Sequence, residues 1–165
     1  MSAGSKVRVV FVCMGNICRS PTAEGVFRHF VRAEGLEDRI HVESAGTHDY
    51  HVGRPPDGRA QQAAARRGYD LSAQRARRVE ARHFLEFDYV LAMDAENLAH
   101  LRSEAPDGLR GKPALFLDFS AGHRGEEVPD PYYGSADGFA HVLDLVEAGA
   151  HGLLADIRRK LAPPG

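Results

Sequence analysis

Val7-Arg8-Val9-Val10-Phe11-Val12-Cys13-Met14-Gly15-Asn16-Ile17-Cys18-Arg19-Ser20-Pro21 carries three structural signals in succession. The first, Val7 to Val12, is a β-branched apolar run of strand length with little polar alternation, which suits a central strand covered on both faces. The third is a helix start: Ser20 is the expected N-cap and Pro21 the first helical position. Ala23, Val26, Phe27, Phe30 and Val31 then share one face until Gly35 ends the helix. Between them lies a loop of glycine, asparagine, two thiols and one arginine. A strand leading through a short loop into a helix, this early in the chain, predicts an α/β fold whose first loop lies at the carboxyl end of the sheet.

The rest of the sequence repeats that alternation. Arg39 to Ser44 reads as a second strand, and Asp57 to Arg67 as a helix with an alanine-rich face closed by Gly68. Tyr89 to Met93 reads as a third strand, followed by a helix through Leu98 and Leu101 that stops near Pro106. Ala114 to Phe116, extending to Leu117, reads as a fourth strand. In the last segment, Phe139, Val142, Leu143, Val146, Ala150, Leu153, Leu154, Ile157 and Leu161 recur at helical steps, with Gly149 and Gly152 as local weak points. Right-handed crossovers between such elements imply a three-layer α/β domain. The expectation is one domain over residues 1–165: a four-stranded parallel sheet wrapped by helices on both faces.

Composition excludes several classes of function. The 165 residues are 43% hydrophobic and 27% charged with a formal net charge of -2, which describes a soluble protein without the basic surplus of a nucleic-acid binder. The start, Met1 to Lys6, is short and polar, and Val7 to Val12 is far too short for a signal-peptide core or a membrane span. A cytoplasmic location, no membrane partner and no nucleic-acid partner are therefore expected. Two cysteines, Cys13 and Cys18, do not make a secreted disulfide framework. No paired histidines stand near a second cysteine cluster, so no metal and no cofactor are expected.

The first loop is suited to anion chemistry. A helix N-terminus offers unpaired N–H groups and a partial positive charge, and Gly15 and Asn16 tolerate left-handed backbone angles that turn successive amides inward. Met14, Gly15, Asn16, Ile17, Cys18 and Ser20 are the expected phosphate-binding positions. Cys13, at the lip of the cradle, is placed where the helix terminus, the amides and the Arg19 charge all favour thiolate over thiol. Arg19 can hold two oxygens of one phosphoryl group with its planar fork. Each residue alone has an ordinary explanation, a buried cysteine at a strand end or a solvated arginine at a helix start. Together, at Cys-x5-Arg spacing, they point to a thiol nucleophile and an oxyanion clamp. An arginine at a helix N-terminus is electrostatically misplaced until an anion joins it.

From Val12 to Pro21 the sequence resembles the signature of the low-molecular-weight protein-tyrosine phosphatases. The likeness continues through Ser44-Ala45-Gly46-Thr47, Arg75-Ala76-Arg77, Phe87-Asp88-Tyr89, Met93-Asp94 with Asn97, and Asp130-Pro131-Tyr132-Tyr133-Gly134. It spans nearly the whole chain. The resemblance implies hydrolysis of phosphotyrosine in proteins, and of small aryl phosphates, through a phosphocysteine formed on Cys13. Asp130 is implied as the proton donor, although Asp-Pro by itself is an ordinary turn. Because Asp130 must start protonated while Cys13 is ionised, a mildly acidic pH optimum is expected. Tyr50, Tyr132 and Tyr133 are read as an aromatic rim, with ordinary aromatic packing as the alternative for each. Ser20 is expected to cap the helix and to donate a hydrogen bond to the thiolate, with capping alone as the alternative. Ser44 is expected to brace Asn16; several relatives complete that brace with a histidine where this chain has Gln74. Cys18 is expected to form a reversible disulfide with Cys13 on oxidation, with a small buried residue filling space as the alternative.

Three other activities compete. Arsenate reductases of this fold relay their disulfide to cysteines nearer the C-terminus, and this chain has none there. Phosphoarginine phosphatases tend to have threonine where Ile17 stands. A noncatalytic docking module would be expected to lose Cys13, Arg19 or Asp130. A monomer is expected, with a weak dimer as the alternative.

Overall fold

The structure is a computed structural model in which residues 6–132 and 136–161 are described; Tyr133, expected on the rim, lies outside them. The elements run β1 (Val7–Cys13), α1 (Arg19–Ala33), β2 (Ile40–Gly46), α2 (Gly58–Ala65), α3 (Ala81–Glu86), β3 (Tyr89–Ala92), α4 (Ala95–Glu104), β4 (Pro113–Leu115), a 3-10 turn (Phe116–Phe119) and α5 (Ala136–Leu161). The strands form one parallel sheet in the order β2-β1-β3-β4. β1 is central, paired to β2 on one side and β3 on the other, as its unalternating apolar run requires.

Because side chains alternate along a strand, β1 divides its residues between two cores. Val9, Phe11 and Cys13 join the core under α1, α2 and α5; Val10 and Val12 join the core under α3 and α4. Phe11 is the hub of the first, edge-on to Phe27 at 5.7 Å and to Phe116 at 5.0 Å between ring centroids. α1 ends as expected at Gly35, with φ of 70°. Gly35 N–H donates to the Arg32 carbonyl and Leu36 N–H to that of Val31, the paired bonds of a Schellman closure.

Several boundaries differ from the sequence reading. β1 runs on to include Cys13, and β2 reaches Gly46. The fourth strand stops at Leu115: Phe116 and Leu117 turn into the 3-10 segment, which packs against α5 rather than extending the sheet. Gly149 and Gly152 are the reason it can. A Cβ on Gly152 would lie 1.9 Å from the Phe119 carbonyl oxygen, and one on Gly149 would lie 2.7 Å from the Phe116 ring. These glycines are close-approach positions, not weak points. The short helix α3 was not legible. It carries little apolar periodicity and is held from outside by Glu43, on β2, which accepts from Arg82 and lies 3.0 Å from His83 Nε2. Among the described residues, no helix is long and apolar enough to cross a membrane.

Candidate active site

The chain leaves β1 at Cys13 and enters α1 at Arg19, so the five residues between must fold over the helix N-terminus. Asn16 makes the turn with φ of 57°, in the left-handed region that asparagine tolerates. Its amide then braces the loop from within. Asn16 Nδ2 donates to Ser20 Oγ at 2.8 Å and to Ser44 Oγ at 2.9 Å, while Asn16 Oδ1 accepts from the Arg77 backbone N–H at 2.9 Å. Ser44 Oγ in turn donates to Glu24 Oε1 at 2.8 Å. Gln74 stands at the back of this brace, its Nε2 donating to the Pro21 carbonyl at 2.9 Å and its Oε1 3.4 Å from Ser44 Oγ.

The helix begins two residues earlier than expected. Cys18 occupies the N-cap and makes no side-chain cap hydrogen bond. Ser20 lies inside the first turn, fully buried, where its Oγ sits 3.0 Å from Cys13 Sγ. The capping role is therefore corrected: a hydroxyl held by Asn16 and turned to the thiol cannot also reach back to the helix end. The expected contact of its hydroxyl with the Cys13 sulfur is present.

Cys13 is 3% and Arg19 2% exposed. Both line one cavity of about 340 Å³ at the sheet's carboxyl end, together with Met14, Gly15, Ile17, Cys18, Tyr50, His51, Asp130 and Tyr132. Of the expected phosphate-binding residues, Asn16 and Ser20 lie beneath the cavity as supports and do not line it. The described rim tyrosines flank it, Tyr50 being 66% exposed and stacked on His48 at 5.0 Å. A larger cavity, of about 680 Å³, opens behind the loop brace beside Glu24, Ser44 and Gln74. No thiol lines it, so the chemistry belongs to the smaller one.

Arg19 is aimed by groups that sequence reasoning did not assign. Its Nη1 donates to Asp94 Oδ2 at 2.6 Å and to the Val128 carbonyl at 3.0 Å, and its Nη2 is 3.8 Å from Asp130 Oδ2. Asp94 stands two residues beyond the end of β3, and its other oxygen accepts from Asn97 N–H at 2.7 Å as the N-cap of α4. One carboxylate thus fixes a helix start and a guanidinium. Burial works against the Arg19 charge, but the negative charges at Cys13, Asp94 and Asp130 outweigh it and raise its pKa further. The nearest signal in the sequence was Met93-Asp94 with Asn97, an Asx cap directly after a strand.

Asp130 sits in a loop tied to the end of β3 by Val128 N–H donating to the Met93 carbonyl. Its Oδ1 accepts from Tyr132 N–H at 3.0 Å, the turn expected of Asp-Pro. Arg59 of α2 anchors the same loop. It is paired with Asp57 at 3.1 Å, donates to the Tyr132 carbonyl at 2.8 Å and lies over the Tyr132 ring at 5.5 Å. His51, likewise absent from the sequence reading, packs so close that a Cβ on Gly15 would meet its ring at 2.9 Å. Cys13 and Cys18 are both free, buried thiols. Burial first, then the charges of Asp57, Cys13 and Asp130, push the Cys18 thiol far above its ordinary pKa.

Comparison with known proteins agrees with this geometry. Residues 8–162 match the model of the family described as low molecular weight phosphotyrosine protein phosphatase. The chain is 40% identical over 154 residues to low molecular weight protein-tyrosine-phosphatase YfkJ of Bacillus subtilis, covering 93% of this chain and 97% of that protein. The crystal structure of YfkJ superposes with a TM-score of 0.90 over 98% of this chain and all of that one, at 39% identity. A protein tyrosine phosphatase from Entamoeba histolytica, crystallised with Hepes in its active site, superposes with a TM-score of 0.89 at 35% identity, covering 95% and 100% of the two chains.

Proposed function

The chain belongs to the low molecular weight phosphotyrosine protein phosphatase family and is a protein-tyrosine phosphatase, and from that premise we propose that it works through a phosphocysteine intermediate on Cys13. The observation that carries the mechanism is that Cys13, Arg19 and Asp130 line one cavity of about 340 Å³, with the thiol buried.

In the proposed reaction the Cys13 thiolate attacks phosphorus in line with the tyrosine oxygen. As the S–P bond forms and the P–O bond breaks, the Asp130 carboxyl passes its proton to the departing phenolate, a poor leaving group unless protonated. Arg19, held by Asp94 and Val128, offers donors to the equatorial oxygens, and Met14, Gly15, Ile17 and Cys18 surround them. Water then attacks the phosphocysteine, Asp130 takes its proton, the S–P bond breaks, and phosphate leaves. The Ser20 hydroxyl, 3.0 Å from Sγ, stabilises the returning thiolate. The proposed substrate is a phosphotyrosine-bearing protein, because a buried thiol behind a tyrosine-flanked mouth suits a long aryl ester. Ile17 on the cavity wall favours an aryl group over a guanidino one. The cytoplasm is the proposed compartment and a monomer the proposed state.

The test is turnover of p-nitrophenyl phosphate, phosphotyrosine peptides and phosphoarginine by the wild type, Cys13→Ser and Asp130→Ala. Cys13→Ser is expected to abolish turnover. Asp130→Ala is expected to slow it about 10²–10⁴-fold while phosphate still binds. Undiminished turnover by Cys13→Ser ends the covalent mechanism, and faster turnover of phosphoarginine than of phosphotyrosine ends the substrate assignment.

A further inference from the structure

A second cavity, of about 280 Å³, lies on the far side of Met14 from the catalytic one, between residues 47–48 and the first turns of α4. Met14 is a wall of both. Asn97 lines the second cavity and is 3% exposed, and its Oδ1 is the one buried side-chain oxygen or nitrogen without a hydrogen-bond partner among the described residues. A buried acceptor in that state is disfavoured until a donor reaches it. Rotation about χ2, which is soft in asparagine, lets the amide oxygen turn to meet a ligand.

The remaining lining has a consistent chemistry. Glu96 stands at the exposed mouth in the first turn of α4 and has no ion pair among the described residues. The imidazoles of His48 and His100 lie 5.1 Å apart between centroids on the same wall. One ring nitrogen of each is engaged elsewhere: His48 Nδ1 is 2.8 Å from Thr47 Oγ1, and His100 Nε2 is 2.7 Å from Glu104. No lysine or arginine lines the cavity. A carboxylate, an amide oxygen lacking a donor, a thioether and two aromatic faces suit a group that is cationic, rich in N–H donors and able to stack.

We propose that this cavity is a specificity subsite that receives the lysine or arginine side chain of a residue flanking phosphotyrosine in the protein substrate. The proposal rests on the phosphatase reading of the neighbouring cavity, because the shared Met14 wall places the second cavity beside a phosphotyrosine seated over Cys13. The basic side chain donates to Asn97 Oδ1 and Glu96, and a guanidinium stacks on the imidazoles.

The experiment compares kcat/KM for phosphotyrosine peptides carrying Arg, Ala or Glu at each position flanking the phosphotyrosine, with p-nitrophenyl phosphate as the substrate that reaches only the catalytic cavity. The wild type is expected to prefer Arg over Glu about five- to tenfold at one flanking position, mainly through KM. Glu96→Lys is expected to abolish or reverse the preference. Ala99→Trp, which fills the cavity without changing its charge, is expected to abolish it. Both variants sit on the exposed start of α4 and should turn over p-nitrophenyl phosphate like the wild type. Equal kcat/KM for the Arg and Glu peptides in the wild type overturns the proposal, as does a preference that survives both variants. Failure of the wild type to hydrolyse p-nitrophenyl phosphate at all would instead overturn the phosphatase reading.

Discussion

Replacing Asp94 by Asn separates two tasks that one carboxylate performs. Its Oδ1 caps α4 through Asn97 N–H, and its Oδ2 accepts from a nearly buried Arg19 at 2.6 Å. Asparagine is as good an N-cap as aspartate, so Asp94→Asn keeps the helix start with its one oxygen, but turns an NH2 toward the guanidinium and so removes both the charge and the acceptor that face Arg19. A hydrogen bond to a charged partner contributes about 1.5–3 kcal/mol, and its removal makes the expected loss of stability about 1.5–3 kcal/mol. Asp94→Ala removes the cap as well, about 1 kcal/mol, and leaves a buried guanidinium short of its partner, so its loss should reach about 3–5 kcal/mol. Arg19 retains the Val128 carbonyl but loses its shortest anchor, and a misplacement of about 1 Å can cost about 10²-fold in rate. We expect kcat for p-nitrophenyl phosphate to fall about 10- to 100-fold, with inhibition by inorganic phosphate unchanged or tighter, because Arg19 is no longer opposed by Asp94. Urea denaturation and steady-state kinetics on the two variants measure both halves. Wild-type kcat in Asp94→Asn, or equal destabilisation by Asn and Ala, would refute the division of labour.

Other expectations follow from the same structure. Because burial and neighbouring carboxylates hold Cys18 as a thiol, brief iodoacetamide treatment at pH 8 should modify Cys13 and spare Cys18 by peptide mass mapping; alkylation of Cys18 at a similar rate would contradict this. Burial lowers the pKa of His83, whose Nδ1 accepts from Glu80 N–H, so below about pH 6.5 the unfolded chain takes a proton that the folded one resists. Glu43 is depressed despite its burial by Arg82, His41 and His83, so its contribution is present above its unfolded pKa, near 4.3, and is lost as pH falls further. Urea midpoints should therefore fall in two stages on acidification, the first absent in His83→Gln. Gly152→Ala should destabilise by about 1–3 kcal/mol despite alanine's higher helix propensity, because the Phe119 backbone cannot yield as a flexible side chain would. Gly58→Ala, whose Cβ meets nothing within 4 Å, should be near neutral by thermal melting.

What could be read in advance was local. A strand without polar alternation had to be central, and β1 is flanked on both sides. A loop of Gly15 and Asn16 between strand and helix had to turn sharply, and Asn16 does so with a positive φ. What could not be read depends on partners distant in sequence. Asp94 meets Arg19 across 75 positions, Arg59 meets Tyr132 across 73, and α3 is held by Glu43 some 40 positions away. No window of periodicity contains both halves of such a pair. The glycines of α5 were misread for the same reason: helix propensity describes the isolated helix, and their purpose is the 3-10 turn that lies on them.

The displaced helix start carries the most chemistry of these departures. Ser20-Pro21 is a strong local signal for a capped helix, and a cap there would have given one first-turn N–H a side-chain acceptor. Instead Asn16 and Cys13 claim the Ser20 hydroxyl, the helix begins at Arg19, and Cys18 at the N-cap makes no side-chain cap bond. A helix N-terminus left without its own acceptor, next to a buried arginine, is short of negative charge, and a phosphoryl group supplies both the acceptor oxygens and the charge. The stability forgone at an uncapped terminus, about 1 kcal/mol, is thereby converted into affinity for the anion. On this argument, giving α1 a neutral cap through the near-isosteric Cys18→Ser should stabilise the empty protein and weaken phosphate binding together.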